Sequence, residues 1–268
     1  VNGGKTDINI TLDKNIDLTG KDWTPIGTDY DNSYKGTFDG GGHTITGLTF
    51  TTNDEYAGLF GWLNRAGTVK NVVMEGVQIT SHQIYGGSIG GVVGSGWGTI
   101  ENCSVSGSVS GTVYVGGVVG VQIGGSITGC SSSATVKGTV YVGGVAGQTN
   151  SSATLTACYA TGNVIIEMDP KKNIAGGSLV GMNAGSSLLA CYATGNVTST
   201  GSSTGYVHIG GFLGNNYITL TACYWKNNHE QDIGYNRGST RATKVDGSVV
   251  TWQKAVDAMN TALQNAGS

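Results

Sequence analysis

The stretch Tyr114-Val115-Gly116-Gly117-Val118-Val119-Gly120, followed by Ile127 and Cys130, decides the fold because the chain repeats it in both directions. Downstream stand Tyr141 to Gly147 with Leu155 and Cys158, Gly181 with Leu188 and Cys191, and His208 to Gly214 with Leu220 and Cys223. Upstream stand Gly94 with Ile100 and Cys103, and Gly61 with Val69 and Val72. The closing glycines Gly61, Gly94, Gly120, Gly147, Gly181 and Gly214 are 33, 26, 27, 34 and 33 residues apart. Periods of about 20–50 residues mark stacked units that bury a shared core. A coil of this length suits one rung of a parallel β-solenoid, hydrogen-bonded to the rungs on either side.

The residues after each cysteine alternate with period two, the mark of a strand with one buried face. Cys103, Val105, Gly107 and Val109 form one inward set. Cys158, Ala160, Gly162 and Val164 form a second, and Cys191, Ala193, Gly195 and Val197 a third. Ile45 and Leu48 extend the pattern one rung toward the N-terminus. The paired glycines fit corners that need positive φ or close backbone approach. The longer copies need loops, at Ser81 to Gly87, Glu167 to Asn173 and Ser199 to Tyr206, all on one side of the solenoid.

Five cysteines share one repeat position. Equivalent residues on neighbouring strands lie about 4.8 Å apart with parallel Cβ vectors. A disulfide needs Cβ atoms about 3.8 Å apart and turned together. The expectation is a ladder of buried free thiols acting as small hydrophobes. No C-x-x-C spacing suggests zinc.

Composition narrows the function. The net charge is −3 and, from Asn102 to Ile166, Lys137 is the only charged residue. Nucleic acid is therefore not an expected partner, since phosphate binding needs clustered Lys and Arg. No apolar run reaches the roughly 18 residues of a membrane span. The sequence opens at Val1 without a signal peptide, which fits a cytosolic protein or, better, a mature or trimmed chain.

The ends of a solenoid need caps. Residues 1–54 are expected to be N-terminal capping coils, with Ile8, Ile10, Leu12, Ile16 and Leu18 as a first strand pair. Residues 55–225 hold the repeats and 226–268 the C-terminal cap. There Trp252, Ala255, Val256, Met259 and Leu263 recur with helical spacing over about 252–265, with Thr251 as N-cap.

These blocks resemble the GLUG motif of large bacterial surface and secreted proteins. Its Gly-Leu-apolar-Gly core stands here as Gly58-Leu59-Phe60-Gly61 and recurs as Gly-Val-Val-Gly, Gly-Val-Ala-Gly and Gly-Phe-Leu-Gly. Trp23-Thr24-Pro25-Ile26-Gly27 and Gly36-Thr37-Phe38-Asp39-Gly40 are similar to the leader that often precedes such motifs. The copy Gly177-Ser178-Leu179-Val180-Gly181 departs by carrying Ser. The resemblance implies an extracellular, adhesin-like β-solenoid at the cell surface, secreted or anchored to the outer membrane, as in Bacteroidetes and some Gram-positive surface proteases. It carries no catalytic residues with it.

Chemistry is sparse. A glycosidase needs two carboxylates about 5–10 Å apart, and no Asp or Glu lies between Glu101 and Glu167. Acids gather near the N-terminus as Asp22, Asp29, Asp31, Asp39, Asp54 and Glu55, with Lys35, His43 and Arg65, in turn-rich sequence that equally suits a solvated cap. Asp13 to Thr24 begins like an EF-hand but has Leu18 and Thr24 where Gly and Glu belong. A looser Ca²⁺ site near Asp29 and Asp31 is a secondary reading. His43, His82, His208 and His229 are scattered and form no H-E-x-x-H. Asn102-Cys103-Ser104 matches a glycosylation sequon, but its cysteine belongs inside.

The surface feature that invites a ligand is aromatic. Tyr159, Tyr192 and Tyr224 follow the cysteine in three successive rungs, with Trp225 next to the last. Such a row can carry sugar rings, or simply stabilise the stack.

The expectation is an all-β chain, a parallel solenoid of about seven or eight rungs with a short C-terminal capping helix, right-handed by crossover chirality. Its expected function is that of a non-enzymatic surface module, without cofactor or metal, that binds host or dietary glycan or protein. The alternatives are a passive stalk displaying further domains, or a polysaccharide-active enzyme at the N-terminal coils.

Overall fold

The structure, a computed structural model, describes residues 5–267. It is an all-β solenoid of about seven parallel turns with one C-terminal helix. Three sheets run along it. The first carries, in order along the stack, Ile10–Thr11, Thr37–Asp39, Thr68–Lys70, Thr99–Glu101, Val119–Thr128, Ala146–Thr156, Val180–Ala184, Leu213–Asn216 and Ile233–Asn236, the first and last belonging to end coils that add no strand to the second sheet. The second has six strands, from Tyr56–Ala57 to Val207–Gly210. The third runs from Ile16–Asp17 to Thr243–Lys244.

Every repeat position becomes a column. Val69, Ile100, Ile127, Leu155, Leu188 and Leu220 pair in register and are buried. One rung earlier the column continues with Phe38, not with Ile45. The turn at Gly41 and Gly42, both at positive φ, shifts the phase, so Ile45 pairs with Met74 in the third sheet. The alternation after the cysteine holds with one change. Gly107 sits exposed at φ +115 opposite a bulge in the neighbouring strand, where Met74 to Val77 spans one residue more than Val105 to Gly107, and Val109 keeps to the core face.

All five cysteines are free and buried. Cys158 donates its thiol to the Ile127 and Thr156 carbonyls, both at 3.3 Å, and the other four repeat this arrangement. Burial pushes the thiols of Cys130, Cys158 and Cys223 well above the ordinary range.

The closing glycines form a column because backbones meet there. A Cβ at Gly147 would lie 2.6 Å from the Val115 nitrogen and 2.8 Å from the Gly120 carbonyl oxygen. The same contact links Gly61, Gly94, Gly120, Gly147, Gly181 and Gly214 in turn, and continues to Gly27 and Gly234. Close approach, rather than positive φ, is therefore what the six periodic glycines supply.

Positive φ falls one residue before the cysteine column. Asn71, Asn102, Gly129, Ala157, Ala190 and Ala222 all have φ between 48 and 62. Alanine there carries left-handed strain of about 1–2 kcal/mol, whereas glycine carries none but loses more entropy on folding. Ala157→Gly and Ala222→Gly should therefore each stabilise the protein by about 0.5–1 kcal/mol, and Ala190→Gly, which loses a buried methyl, by less. Thermal unfolding of the double variant checks this. A lowered midpoint would mean that the corner is not strained.

A further column is polar and internal. Gln122, Thr149, Asn183, Asn216 and Asn236 pair in register, and the first four are fully buried. Asn183 Nδ2 donates to Asn216 Oδ1 at 2.9 Å, and Asn216 Nδ2 to Asn236 Oδ1 at 2.8 Å. Thr149 Oγ1 donates to Asn183 Oδ1 at 3.2 Å.

The loops at 82–87, 168–173 and 201–206 each join the third sheet to the second, so they share one corner as their spacing suggested. The helix α1 spans Trp252–Ala266, and Thr251 caps it by accepting from the Lys254 N–H. Ala255 and Met259 are its buried face, while Val256 is 41% exposed.

Candidate functional site

The tyrosine row exists. Tyr159, Tyr192 and Tyr224 are adjacent in register on the third sheet, each half-buried. The rings of Tyr159 and Tyr192 stack at 4.8 Å with 1° between their planes. Burial raises the pKa of the Tyr192 and Tyr224 phenols. In the two preceding rungs the same position is Ser131 and Ser104. This step from Tyr to Ser leaves a groove of about 290 Å³ that ends on Tyr159. At the other end, Trp252 of α1 packs edge-on against Tyr192 at 5.6 Å.

Trp225 does not belong to this row. Its position alternates inward, it pairs with Ala193, and it is 3% exposed. Lys244, its partner on the next rung, lays its ammonium 4.6 Å from the ring centroid. Trp225 therefore closes the core at the C-terminal end under a lysine stem, as amphipathic side chains do at an apolar boundary.

The N-terminal acids divide into separate groups. Asp39 accepts from the Asn71 side chain at 3.0 Å and the Gly41 N–H at 2.9 Å, and pairs with Lys70 at 3.3 Å. These bonds lower its pKa, and they occupy it in holding a turn. Asp29 is lowered chiefly by its bonds to the Asn32 side chain and backbone, with Thr28 adding a weaker one. Asp29, Asp54 and Glu55 line a cleft of about 360 Å³, where the Tyr56 hydroxyl donates to Glu55 at 2.6 Å. Among the described residues no three or more His, Cys, Asp and Glu side chains gather as a metal site.

An aromatic cleft adjoins this acidic one, and the sequence reading passed over it. Tyr30, Trp62, Asn64, Arg65 and Trp97 enclose about 300 Å³. They come from three successive rungs: the turn carrying Tyr30, the strand Phe60–Leu63 with the turn after it, and the turn after Val93–Gly96. Trp62 is 8% exposed and meets Tyr56 and Tyr30 edge-on at 4.6 and 5.9 Å. Its partner on the next rung is Ser95, and that loss of volume opens the cleft. Arg65 lies 5.0 Å from the Trp97 ring centroid. The indole nitrogens of Trp62 and Trp97 are buried and lack a hydrogen-bond partner among the described residues. The available signal was a tryptophan near the same corner in consecutive rungs, Gly61-Trp62 and Gly96-Trp97.

These stacked rungs, with their glycine and thiol columns, define a class of fold, the parallel β-solenoid, and part of the stack matches the GLUG motif. The sequence model of the GLUG motif matches residues 85–110 and 111–137. Halomucin of Haloquadratum walsbyi is 37% identical over 120 residues, which are 41% of this chain and 1% of halomucin. A provisionally named Gly-rich membrane protein of Evansella cellulosilytica is 36% identical over 99 residues, 36% of this chain and 11% of that protein. The chain thus spans only a small part of the curated relatives it matches. A crystal structure from Bacteroides ovatus, provisionally named an immunoglobulin A1 protease, superposes with a TM-score of 0.66 at 21% identity, covering 88% of this chain and 78% of its own. At that identity the likeness speaks for the fold alone. No helix among the described residues is long and apolar enough to cross a membrane.

Proposed function

We propose that this chain is a non-enzymatic module of an extracellular, cell-surface protein, adhesin-like, that binds host or dietary glycan or protein along its flank. The observation that carries this reading is the tyrosine row of the third sheet. Its flat, in-register rings end a groove of sugar-ring dimensions. The names of the relatives, a mucin-like one and a membrane one, fit a surface setting.

A glycan array tests the proposal. Specific retention of the purified protein, lost in Tyr159→Ala/Tyr192→Ala, supports a carbohydrate-binding flank. Retention that survives the double variant would place the contact elsewhere. Silence across the array would favour a protein ligand or a second reading, a passive stalk that displays other domains. Trp252 favours that reading, because its edge-on packing gives Tyr192 a structural task. A catalytic site at the N-terminal coils is the weakest reading, since Asp39 and Asp29 are occupied by turn-forming bonds.

A further inference from the structure

We propose that the cleft framed by Tyr30, Trp62 and Trp97, with Arg65 and Asn64 at its rim, is a carbohydrate-binding site that seats a pyranose ring against its aromatic walls. The proposal rests on the reading of this module as a glycan-contacting one, and it places a contact away from the tyrosine row. Three observations converge on it.

The first is composition. Tyr30, Trp62 and Trp97 line one opening of about 300 Å³, the low end of the small-molecule range of about 300–1,000 Å³. A pyranose presents a patch of polarised C–H groups on one face, and an aromatic π-face attracts that positive edge. Tyr30 is 64% exposed and meets the Trp62 ring edge-on at 5.9 Å, so it stands as an open wall of the cleft.

The second is charge. Arg65 is exposed, is held over Trp97, and forms no ion pair among the described residues. The three ion pairs present there are Lys70–Asp39, Lys137–Glu167 and Arg241–Asp232. A guanidinium fixed on an aromatic face offers donors in a set plane, suited to sugar oxygens or a uronate carboxylate.

The third is unmet hydrogen bonding. A buried indole N–H normally finds an acceptor, and here neither Trp62 nor Trp97 has one. Both nitrogens are closed to solvent in the free protein, so sugar hydroxyls reach them as acceptors only where entry of the ligand shifts the rings. The site is built from turns of three rungs, so it depends on their stacking and not on any single repeat.

The test is an NMR titration that follows the indole N–H signals of the whole protein. Cello-, galacto-, N-acetylglucosamine and galacturonate oligosaccharides are added separately, with signals assigned through Trp62→Phe and Trp97→Phe. The expected result is that one or more probes shift the Trp62 and Trp97 signals. Affinity should fall about tenfold, equivalent to about 1.4 kcal/mol, in Tyr30→Ala and in Arg65→Ala. Both positions are exposed, so the unfolding midpoint should stay put. A response to galacturonate alone supports the site and assigns Arg65 to the carboxylate. A response to neutral probes supports it and assigns Arg65 to hydroxyls. Binding that survives both variants but is lost in Tyr159→Ala/Tyr192→Ala overturns this site and leaves the glycan reading standing. No shift with any probe, together with a silent array, overturns both.

Discussion

Gly120→Ala is expected to destabilise the solenoid by about 3–5 kcal/mol, more than most core overpacking. A Cβ at this position would stand 2.4 Å from the Ile89 nitrogen, 2.6 Å from the Gly94 carbonyl oxygen and 2.8 Å from the Ser88 carbonyl carbon. All three are backbone atoms of the preceding rung. A flexible side chain can swing away from a new methyl, but a hydrogen-bonded strand cannot. Relief requires the rungs to separate, and Gly120 stands mid-stack, so pairing on both sides suffers. Its φ is ordinary, so the penalty is purely steric. Gly76→Ala provides the contrast. Its φ is +66 but nothing lies within 4 Å, so the cost there is conformational, about 1 kcal/mol. Chemical denaturation of the two variants tests the argument. Equal losses would show that the glycine column serves backbone conformation and not contact.

Asn183→Ala should cost about 3–4 kcal/mol, because its amide serves buried groups on three rungs. Its Oδ1 accepts from Thr149 Oγ1 at 3.2 Å and from the Ser186 N–H at 2.8 Å. Its Nδ2 donates to Asn216 Oδ1 at 2.9 Å and to the Ser186 carbonyl at 3.0 Å. Ser186 is fully buried, so truncation strands its backbone donor and acceptor away from water. A cavity adds to the loss. Asn183→Thr keeps one hydroxyl, as Thr149 does one rung earlier, and should recover part of the stability. Thermal unfolding of both variants decides it. A fall of less than about 1 kcal/mol in the alanine variant would mean that water reaches this column. The two predictions concern columns of opposite character, one of absent side chains and one of buried amides, and both fix the rung spacing.

The proposed ligand contacts depend on that spacing. The tyrosine rings lie 4.8 Å apart because the strands beneath them do. The aromatic cleft is likewise assembled by stacking, since Tyr30, Trp62 and Trp97 come from different rungs. A substitution that loosens the glycine column should therefore weaken binding without touching a ligand-facing residue.

By itself, the sequence determined the parallel stack, the inward face of each strand, the free thiol column and the C-terminal helix with its Thr251 cap. These follow from periods of two, of about 3.6 and of the rung length, which are written along the chain. It also placed the tyrosine row, because equivalent residues in equal-length coils must meet. Only the tertiary structure decided which residues bend the corner. Asn71, Ala157 and their equivalents take the left-handed conformation there, although glycines stand nearby. Phe38 displaced Ile45 through a shift of phase at a turn, whereas Trp225 turned inward by the same alternation that buries Ala160 and Ala193. The amide column and the aromatic cleft also needed the fold. Their members are far apart in sequence, unlike in type, and neighbours only once the loops of unequal length have set the register between rungs.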